Sequence, residues 1–215
     1  MKILVTGTST GIGYSVANQF LVNGHEVIGI DICPSTISHR NYTHIQDSIC
    51  SKHLPDIDGV EILVNNAGVQ NSEDDIEVNL KGTINITEKY GIQPNIKSIL
   101  FMASASASTG AEFPQYVASK GGMVSYMKNV ALRVAQFGAT SNSLSAGGVT
   151  TDLNKHILED STLWEAVLNE TMLNKWASSE EIAQFTYFMT VMNKSMTGQD
   201  ILVDNGEALK SNFIW

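Results

Sequence analysis

The chain has 215 residues, of which 43% are hydrophobic and 16% are charged, and its formal net charge is −9 at pH 7. This length accommodates one domain with a large core, and the composition is too apolar for an intrinsically disordered chain. The negative charge and the absence of a Lys/Arg cluster from the sequence argue against nucleic-acid binding.

Short apolar segments rich in β-formers alternate along the chain with segments of helical periodicity. Strands are predicted, in chain order, over residues 2–6, 25–31, 42–47, 60–68, 97–104, 140–147 and 200–206. Helices are predicted over residues 11–24 and from Pro114 to about Phe137. Continuous apolar strands between helices indicate a parallel sheet covered on both faces. We therefore predict an α/β fold, a Rossmann-type doubly wound parallel sheet in a three-layer sandwich, as a single domain over residues 1–215.

Residues 152–178 interrupt this alternation with a helical segment that is apolar in patches. Two interpretations stay open: a lid over a bound substrate, or an additional pair of packing helices. For the lid, the candidate apolar contacts are Leu153, Ile157, Leu163 and Trp164.

The two cysteines, Cys33 and Cys50, and the five histidines have no metal-type spacing. The sequence begins with a predicted strand and contains no apolar run of about 18 residues. We therefore expect a cytoplasmic protein with reduced thiols, no metal and no membrane contact.

A glycine-rich turn, TGTSTGIG at residues 6–13, joins the first predicted strand to the first helix. Glycines in this position permit a tight turn, and a helix N-terminus offers free N–H groups to a phosphate. The predicted cofactor contacts are Gly7, Ser9, Thr10, Gly11, Ile12 and Gly13. The alternative is a tight turn without a ligand, because a lone glycine-rich turn is a weak signal.

Asp31, followed by Ile32, ends the second predicted strand. A carboxylate at this point accepts hydrogen bonds from the ribose hydroxyls of an adenosine and repels a 2′-phosphate. This favours NAD over NADP, although Asp31 alone is also compatible with a turn residue. Arg40, the next basic residue along the chain, slightly weakens the prediction of NAD.

Seven motifs follow one another in a recognisable order: TGTSTGIG at 6–13, NNAG at 65–68, VNLKG at 78–82, a serine after the fourth clear strand, YVASK at 116–120, SAGGVTTDL at 145–153 and TGQDILVDNG at 197–206. In this order they resemble the short-chain dehydrogenase/reductase family over nearly the whole chain. The resemblance implies an oxidoreductase that transfers a hydride between NAD(H) and a secondary alcohol or ketone.

The resemblance implies a catalytic set of Asn79, Ser104, Tyr116 and Lys120. Tyr116 would act as general acid and base. A free phenol, with a pKa near ~10, is a poor base at neutral pH, and the ammonium of Lys120 one turn away would favour the phenolate. Ser104, with Ser106 as the alternative, would hydrogen-bond the substrate oxygen, and Asn79 would help to connect Lys120 to solvent through water.

The resemblance also implies further cofactor contacts. Main-chain groups of the NNAG segment would border the cofactor, and Asp47 would bind the adenine amino group, unless it only caps the following turn. Thr151 would bind the nicotinamide carboxamide. The full additional set is Asp47, Ser48, Asn66, Ala67, Gly68, Tyr116, Lys120, Gly147, Val149 and Thr151.

Only residues 69–78 separate Gly68 from Asn79, which is about half of the family's usual length. The substrate pocket is therefore expected to be open or completed by a neighbouring subunit. The resemblance implies a homodimer or homotetramer built around the Tyr116 helix. The apolar tail residues Phe213, Ile214 and Trp215 are candidates for a subunit contact.

Two other functions remain open. The first is a 3-oxoacyl-carrier-protein reductase, against which Asp31 and the negative charge argue. The second is a non-catalytic dinucleotide sensor, against which the intact catalytic set argues.

Overall fold

The structure is a computed structural model that describes residues 1–111 and 113–210. The described residues form nine strands: β1 (Lys2–Thr6), β2 (Glu26–Asp31), β3 (Tyr42–Gln46), β4 (Ile62–Asn65), β5 (Ser98–Ser104), β6 (Thr140–Ala146), β7 (Val149–Thr150), β8 (Ala177–Ser178) and β9 (Asp200–Val203). Seven of them form one parallel sheet in the order β3-β2-β1-β4-β5-β6-β9, and β7 pairs with β8.

The α-helices are α1 (Gly11–Val22), α2 (Thr83–Tyr90), α3 (Ser106–Thr109), α4 (Pro114–Val134), α5 (Lys155–Leu158), α6 (Ser161–Leu168) and α7 (Ser179–Tyr187). A π-helical segment, Ile76–Gly82, leads into α2, and another, Phe188–Met192, extends α7. Single 3₁₀ turns lie at Ala135–Phe137 and Asp152–Asn154.

The strand order confirms the predicted doubly wound α/β fold. Strand order reverses between β1 and β4, and ligands of such sheets bind at the carboxyl ends of the strands beside this point. The glycine-rich turn after β1 and the segment after β4 lie at this edge.

Several predicted strand ends are wrong by a few residues, and local hydrogen bonds explain two of them. The strand predicted over 60–68 is only Ile62–Asn65, because the next two residues turn their N–H groups to the Thr6 hydroxyl. The strand predicted to residue 206 ends at Val203, because the Asp204 carboxylate accepts the N–H groups of Gly206 and Ala208 in a turn.

Both faces of the sheet are covered, which explains the continuous apolar strands. On one face, Leu4 packs with the α4 residues Met123 and Met127. On the other face, its neighbours Ile3 and Val5 pack with α1. All three β1 side chains are fully buried.

The helix α4 is held against α2 by one polar cluster. Arg133 donates two hydrogen bonds to the Glu88 carboxylate, at 2.6 and 2.7 Å, and the Tyr126 hydroxyl donates a third at 2.8 Å. The hydrogen bond from Arg133 holds the pKa of Glu88 below its ordinary value. Burial, together with the Glu88 charge, raises the pKa of Tyr126. These bonds join the second half of α4 to α2, away from Tyr116 and Lys120.

Residues 152–178, predicted to be helical, contain α5 and α6 and return to the fold through β8. The Asp160 carboxylate caps α6 by accepting two backbone N–H groups. Trp164 and Trp176 meet edge to face, with ring centroids 5.4 Å apart. Trp176 also covers Gly148, where a Cβ would lie 2.1 Å from its ring.

In the part of the chain that the structure describes, no helix combines the length and the apolarity needed to cross a bilayer. The tail residues Phe213, Ile214 and Trp215, predicted to contact another subunit, lie outside the described residues.

Candidate active site

The glycine-rich turn forms a close-packed corner between β1 and α1. Gly7 and Gly11 adopt positive φ angles of 75° and 57°, a region that favours glycine. At Gly13, a Cβ would lie 1.9 Å from the carbonyl oxygen of Gly7. Thr10 precedes α1 in an extended conformation, and among the described residues no side chain caps the helix there. The backbone N–H groups of this first turn suit a phosphate of a dinucleotide.

The NNAG segment is attached to this corner by hydrogen bonds. The backbone N–H groups of Asn66 and Ala67 both donate to the Thr6 hydroxyl, at 3.0 Å each. The Asn66 side-chain amide donates to the carbonyl oxygens of Thr6 and Gly7, at 3.0 and 3.2 Å. The side chain of Asn66 therefore supports the glycine turn, and sequence reasoning did not identify this contact.

Asp31 lies at the carboxyl end of β2, directly beside the glycine turn. One carboxylate oxygen accepts the N–H of Ser9 at 2.8 Å, and the other accepts the N–H of Cys33 at 2.8 Å. Ile32, between them in the chain, is 68% exposed. These bonds fix a negative charge at the edge of the predicted dinucleotide site.

Arg40 lies at the opposite end of the sheet. It lines a polar depression together with Met1, Lys2 and Glu26, at the amino ends of β1 and β2. The Asp31 carboxylate lies at the carboxyl end of the same strand β2. Arg40 therefore does not lie beside Asp31, and its position does not argue against NAD as the cofactor.

A second polar group beside the turn was missed by sequence reasoning. The hydroxyls of Thr8 and Tyr42 lie 2.8 Å apart, and the Tyr42 hydroxyl lies 3.0 Å from Nδ1 of His44. Gly29 makes room for this contact, because a Cβ there would lie 2.2 Å from the Tyr42 hydroxyl oxygen. Burial is the largest cause that raises the pKa of Tyr42. The contact between Thr8 and Tyr42 thus attaches the glycine turn to β3.

Asp47 and Ser48 follow β3 at the same edge of the sheet. The Asp47 carboxylate accepts the N–H of Ser48 at 2.7 Å, and its backbone N–H donates to the carbonyl oxygen of Asp31. The Ser48 hydroxyl in turn accepts the N–H of Cys50. The Asp47 carboxylate thus bonds to the neighbouring residue of a turn that no helix directly follows in the described chain, and its contact with adenine stays a prediction.

Tyr116 and Lys120 lie one turn apart near the start of α4, which begins with Pro114 at its first position. The Lys120 side chain is 5% exposed, and its ammonium lies 5.5 Å from the centroid of the Tyr116 ring. The ammonium donates a 2.9 Å hydrogen bond to the carbonyl oxygen of Met102 in β5. The buried charge is therefore fixed between the phenol and the strand that ends in Ser104.

Asn79 is fully buried in the π-helical segment before α2. Its side-chain amide accepts the N–H of Val69 and donates to the Val69 carbonyl, both at 2.8 Å, and donates to the Ser119 hydroxyl at 3.1 Å. It thereby joins the short 69–78 segment to α4. A Cβ on Gly68 would lie 2.9 Å from the amide oxygen of Asn79 and 3.6 Å from Nζ of Lys120. Gly68 thus allows these two side chains to approach.

Ser104 ends β5 and is 8% exposed. Its hydroxyl oxygen accepts two hydrogen bonds, from the backbone N–H of Ser106 at 3.2 Å and from the Ser106 hydroxyl at 3.0 Å. The Ser108 hydroxyl instead donates to the carbonyl oxygen of Ala105. The two alternative serines of the sequence thus lie together, with Ser106 directed at Ser104.

Thr151 completes the arrangement from the segment after β6. A Cβ on Gly11 would lie 3.7 Å from Thr151, so this threonine lies over the glycine turn. Gly147 packs closely against Asp204, at 2.8 Å for a Cβ. The Val149 side chain is buried in the core, and its carbonyl oxygen accepts a 2.9 Å hydrogen bond from the Asn154 side-chain amide.

The described residues include no group of three or more His, Cys, Asp or Glu side chains arranged to hold a metal ion. Cys33 and Cys50 are both free thiols.

Comparisons with known proteins cover nearly the whole chain. A family model described as enoyl-(acyl carrier protein) reductase matches residues 46–207. The chain is 28% identical to the 3-oxoacyl-[acyl-carrier-protein] reductase FabG of Chlamydia pneumoniae, over 240 aligned positions that cover 95% of this chain and 96% of that protein. Because the alignment is longer than the 215 residues of this chain, the relative carries segments that the chain lacks.

Solved structures show the same architecture. A short chain dehydrogenase family protein from Francisella tularensis superposes with a TM-score of 0.84 at 27% identity, covering 97% of this chain and 99% of that one. A 4-hydroxyisoleucine dehydrogenase complexed with NADH superposes with a TM-score of 0.87 at 22% identity, covering 98% and 99%. At 22% identity, the similarity to the second structure supports only a shared fold.

Proposed function

Because the chain belongs to the short-chain dehydrogenase/reductase family, we propose that it is an NAD(H)-dependent oxidoreductase acting on a secondary alcohol or ketone. The observation that carries the proposal is the contact of the buried Lys120 ammonium with the Tyr116 ring. A binding module has no chemical need for a cation held beside a phenol at this point.

In the proposed reaction, Tyr116 exchanges a proton with the substrate oxygen. The Lys120 ammonium stabilises the phenolate form, and its burial keeps solvent from screening this effect. Ser104 donates a hydrogen bond to the same substrate oxygen, where negative charge develops. When bound, the nicotinamide ring supplies or accepts the hydride. Asn79 keeps the 69–78 segment against α4 beside these groups.

The proposed cofactor site uses the glycine turn, Asp31 and Thr151. The uncapped first turn of α1, which begins at Gly11, suits the pyrophosphate, and the absence of a Cβ at Gly7 and Gly13 lets the turn pack closely on itself and on Asn66. The Asp31 carboxylate accepts the ribose hydroxyls and repels a 2′-phosphate, which supports NAD as the cofactor. The position of Arg40 at the other end of β2 agrees with this choice.

We further propose that residues 152–178 act as the substrate lid and that the protein forms a homodimer or homotetramer. Leu153 and Leu163 of the lid segment are 60% and 46% exposed, as expected of side chains that become covered when a substrate binds.

The oligomer is supported by exposed apolar side chains elsewhere: Leu132 of α4 is 81% exposed, and Phe188 after α7 is 50% exposed. Large exposed apolar side chains of this kind favour contact with another copy.

A narrower candidate is reduction of a 3-oxoacyl group on a carrier protein, the activity in the name of the Chlamydia relative. An acidic carrier protein calls for a basic docking surface, whereas this chain carries a net charge of −9. We therefore favour a small alcohol or ketone as the substrate.

Consumption of NADH over a panel of ketones tests the proposal, with Tyr116→Phe as the probe. We expect the variant to bind NADH normally and to turn over at least about 100-fold more slowly, as for loss of a general acid. Tyr126→Phe is the matched control, since this tyrosine is on the same helix but bonds to Glu88. Binding of NADH without turnover of any ketone by the wild type would favour the sensor function instead.

A further inference from the structure

We propose that Ser106 is a positioning residue that fixes Ser104 as a hydrogen-bond donor toward the substrate oxygen. This inference rests on the proposed oxidoreductase function and deepens it. Its basis is the double hydrogen bond that Ser104 receives from Ser106.

A serine hydroxyl has one hydrogen to donate and two lone pairs with which to accept. At Ser104, one lone pair accepts the Ser106 backbone N–H at 3.2 Å, and the other accepts the Ser106 hydroxyl at 3.0 Å. With both lone pairs in use, the Ser104 hydroxyl enters further contacts only as a donor. Its hydrogen is directed away from Ser106.

The surroundings keep this arrangement in place. Ser106 is 3% exposed and Ser104 is 8% exposed, so water competes little for either hydroxyl. The residue between them, Ala105, donates its backbone N–H to the carbonyl oxygen of Ala146 at 2.8 Å. This bond anchors the corner between β5 and α3 to the neighbouring strand, and the two serines are held at a fixed separation.

The reduction of a ketone requires a donor at the carbonyl oxygen, because that oxygen gains negative charge as the hydride arrives at the carbon. A serine free to rotate spends part of its time with its hydrogen on another acceptor. The bonds from Ser106 remove that freedom, and a hydroxyl that accepts two hydrogen bonds is also a stronger donor. Ser106 therefore increases the rate without touching the substrate.

The kinetic test replaces Ser106 with Ala, which removes the hydroxyl donor and keeps the backbone one. We expect kcat to fall about tenfold, in line with the loss of one buried hydrogen bond, with the Kd for NADH unchanged. Ser106→Thr, which retains the hydroxyl, should restore kcat to within about twofold. Ser108→Ala is the matched control, because the Ser108 hydroxyl in the same short helix bonds to Ala105 and not to Ser104.

A merely structural role for Ser106 would lower the Tm of Ser106→Ala and leave kcat of the folded enzyme unchanged. Unchanged kcat in Ser106→Ala, beside a large loss in Tyr116→Phe, would overturn this inference and leave the oxidoreductase standing.

Neutron diffraction from deuterium-exchanged crystals supplies a readout that needs no substrate. We expect the Ser106 deuterium to lie on the line to the Ser104 oxygen, with the Ser104 deuterium on the other side. A Ser104 deuterium directed at Ser106 would overturn the inference even if no ketone were reduced.

Discussion

The ammonium of Lys120 lies 5.5 Å from the centroid of the Tyr116 ring, on a lysine that is only 5% exposed. Burying a charge is costly unless it is hydrogen-bonded, and here the carbonyl oxygen of Met102 accepts from it at 2.9 Å. The fold therefore sustains a desolvated cation beside a phenol, in an environment where its electrostatic effect is much stronger than in water.

Replacing Lys120 with Met tests this relationship. The methionine side chain has a similar length and fits the buried space, but it carries no charge and leaves the Met102 carbonyl without its donor. We expect turnover of a ketone to fall at least about 100-fold, because the phenolate loses its stabilising charge. Steady-state kinetics measures the loss. Lys128→Met, at an exposed position of the same helix, is expected to retain wild-type turnover.

The choice of cofactor is tested by Asp31→Asn. This variant keeps an acceptor for one of the two backbone N–H groups, from Ser9 and Cys33, and removes the negative charge. We expect the preference for NADH over NADPH, as the ratio of kcat/KM values, to fall at least about tenfold, because a 2′-phosphate no longer meets a like charge. An unchanged ratio would show that the carboxylate does not select the cofactor.

The sequence predicts the sheet well because its central strands, β4, β5 and β6 among them, are buried on both faces. Between their polar end residues, β1 and β5 carry only apolar residues, and β1 was predicted with the bounds that the structure has. The helix α4 was also predicted from Pro114, since proline at a first position and apolar spacing are both local signals. The helical segments over residues 76–90 and 179–192 were not predicted. Each contains π-helical turns, which shift the helical period away from 3.6 residues.

The candidate site was predictable as a set of residues but not as a network of hydrogen bonds. Tyr116 and Lys120 meet because they are one helical turn apart, a relation that sequence spacing reveals. The contacts of Asn66 with Thr6, and of Thr8 with Tyr42, join residues that are distant in the chain. They depend on which strands are neighbours in the sheet, and no local pattern encodes that order. The Ser106–Ser104 bond is local, but it depends on the start of α3 directly after β5.

The amino edge of the sheet holds a carboxylate whose ionisation contributes to stability. Glu61 accepts a 2.5 Å hydrogen bond from the Lys97 ammonium and a 2.8 Å bond from the backbone N–H of Lys2, and its side chain is 25% exposed. The hydrogen bond from Lys97 is the largest cause that lowers the pKa of Glu61 below its ordinary value of 4.5. The folded protein therefore binds the proton of Glu61 less readily than the unfolded chain does.

The sign of the pH dependence follows from this lowered pKa. The stabilisation by Glu61 is fully present above the ordinary value of 4.5 and is lost as the pH falls through the pKa of the folded state. We expect Glu61→Gln to reduce the free energy of unfolding by about 1 kcal/mol at neutral pH, since one partly buried, charge-assisted contact is weakened. The difference between wild type and variant should shrink at pH values below about 4.

Urea unfolding of both proteins at pH 7 and at about pH 3.5 measures this difference. Glu77→Gln serves as the control, because Glu77 is 55% exposed and pairs across one helical turn with the exposed Lys81. Such surface pairs contribute little, so this variant should stay within about 0.5 kcal/mol of the wild type at both pH values. An equal loss of stability in Glu61→Gln at the two pH values would mean that its carboxylate acts through shape and not through charge.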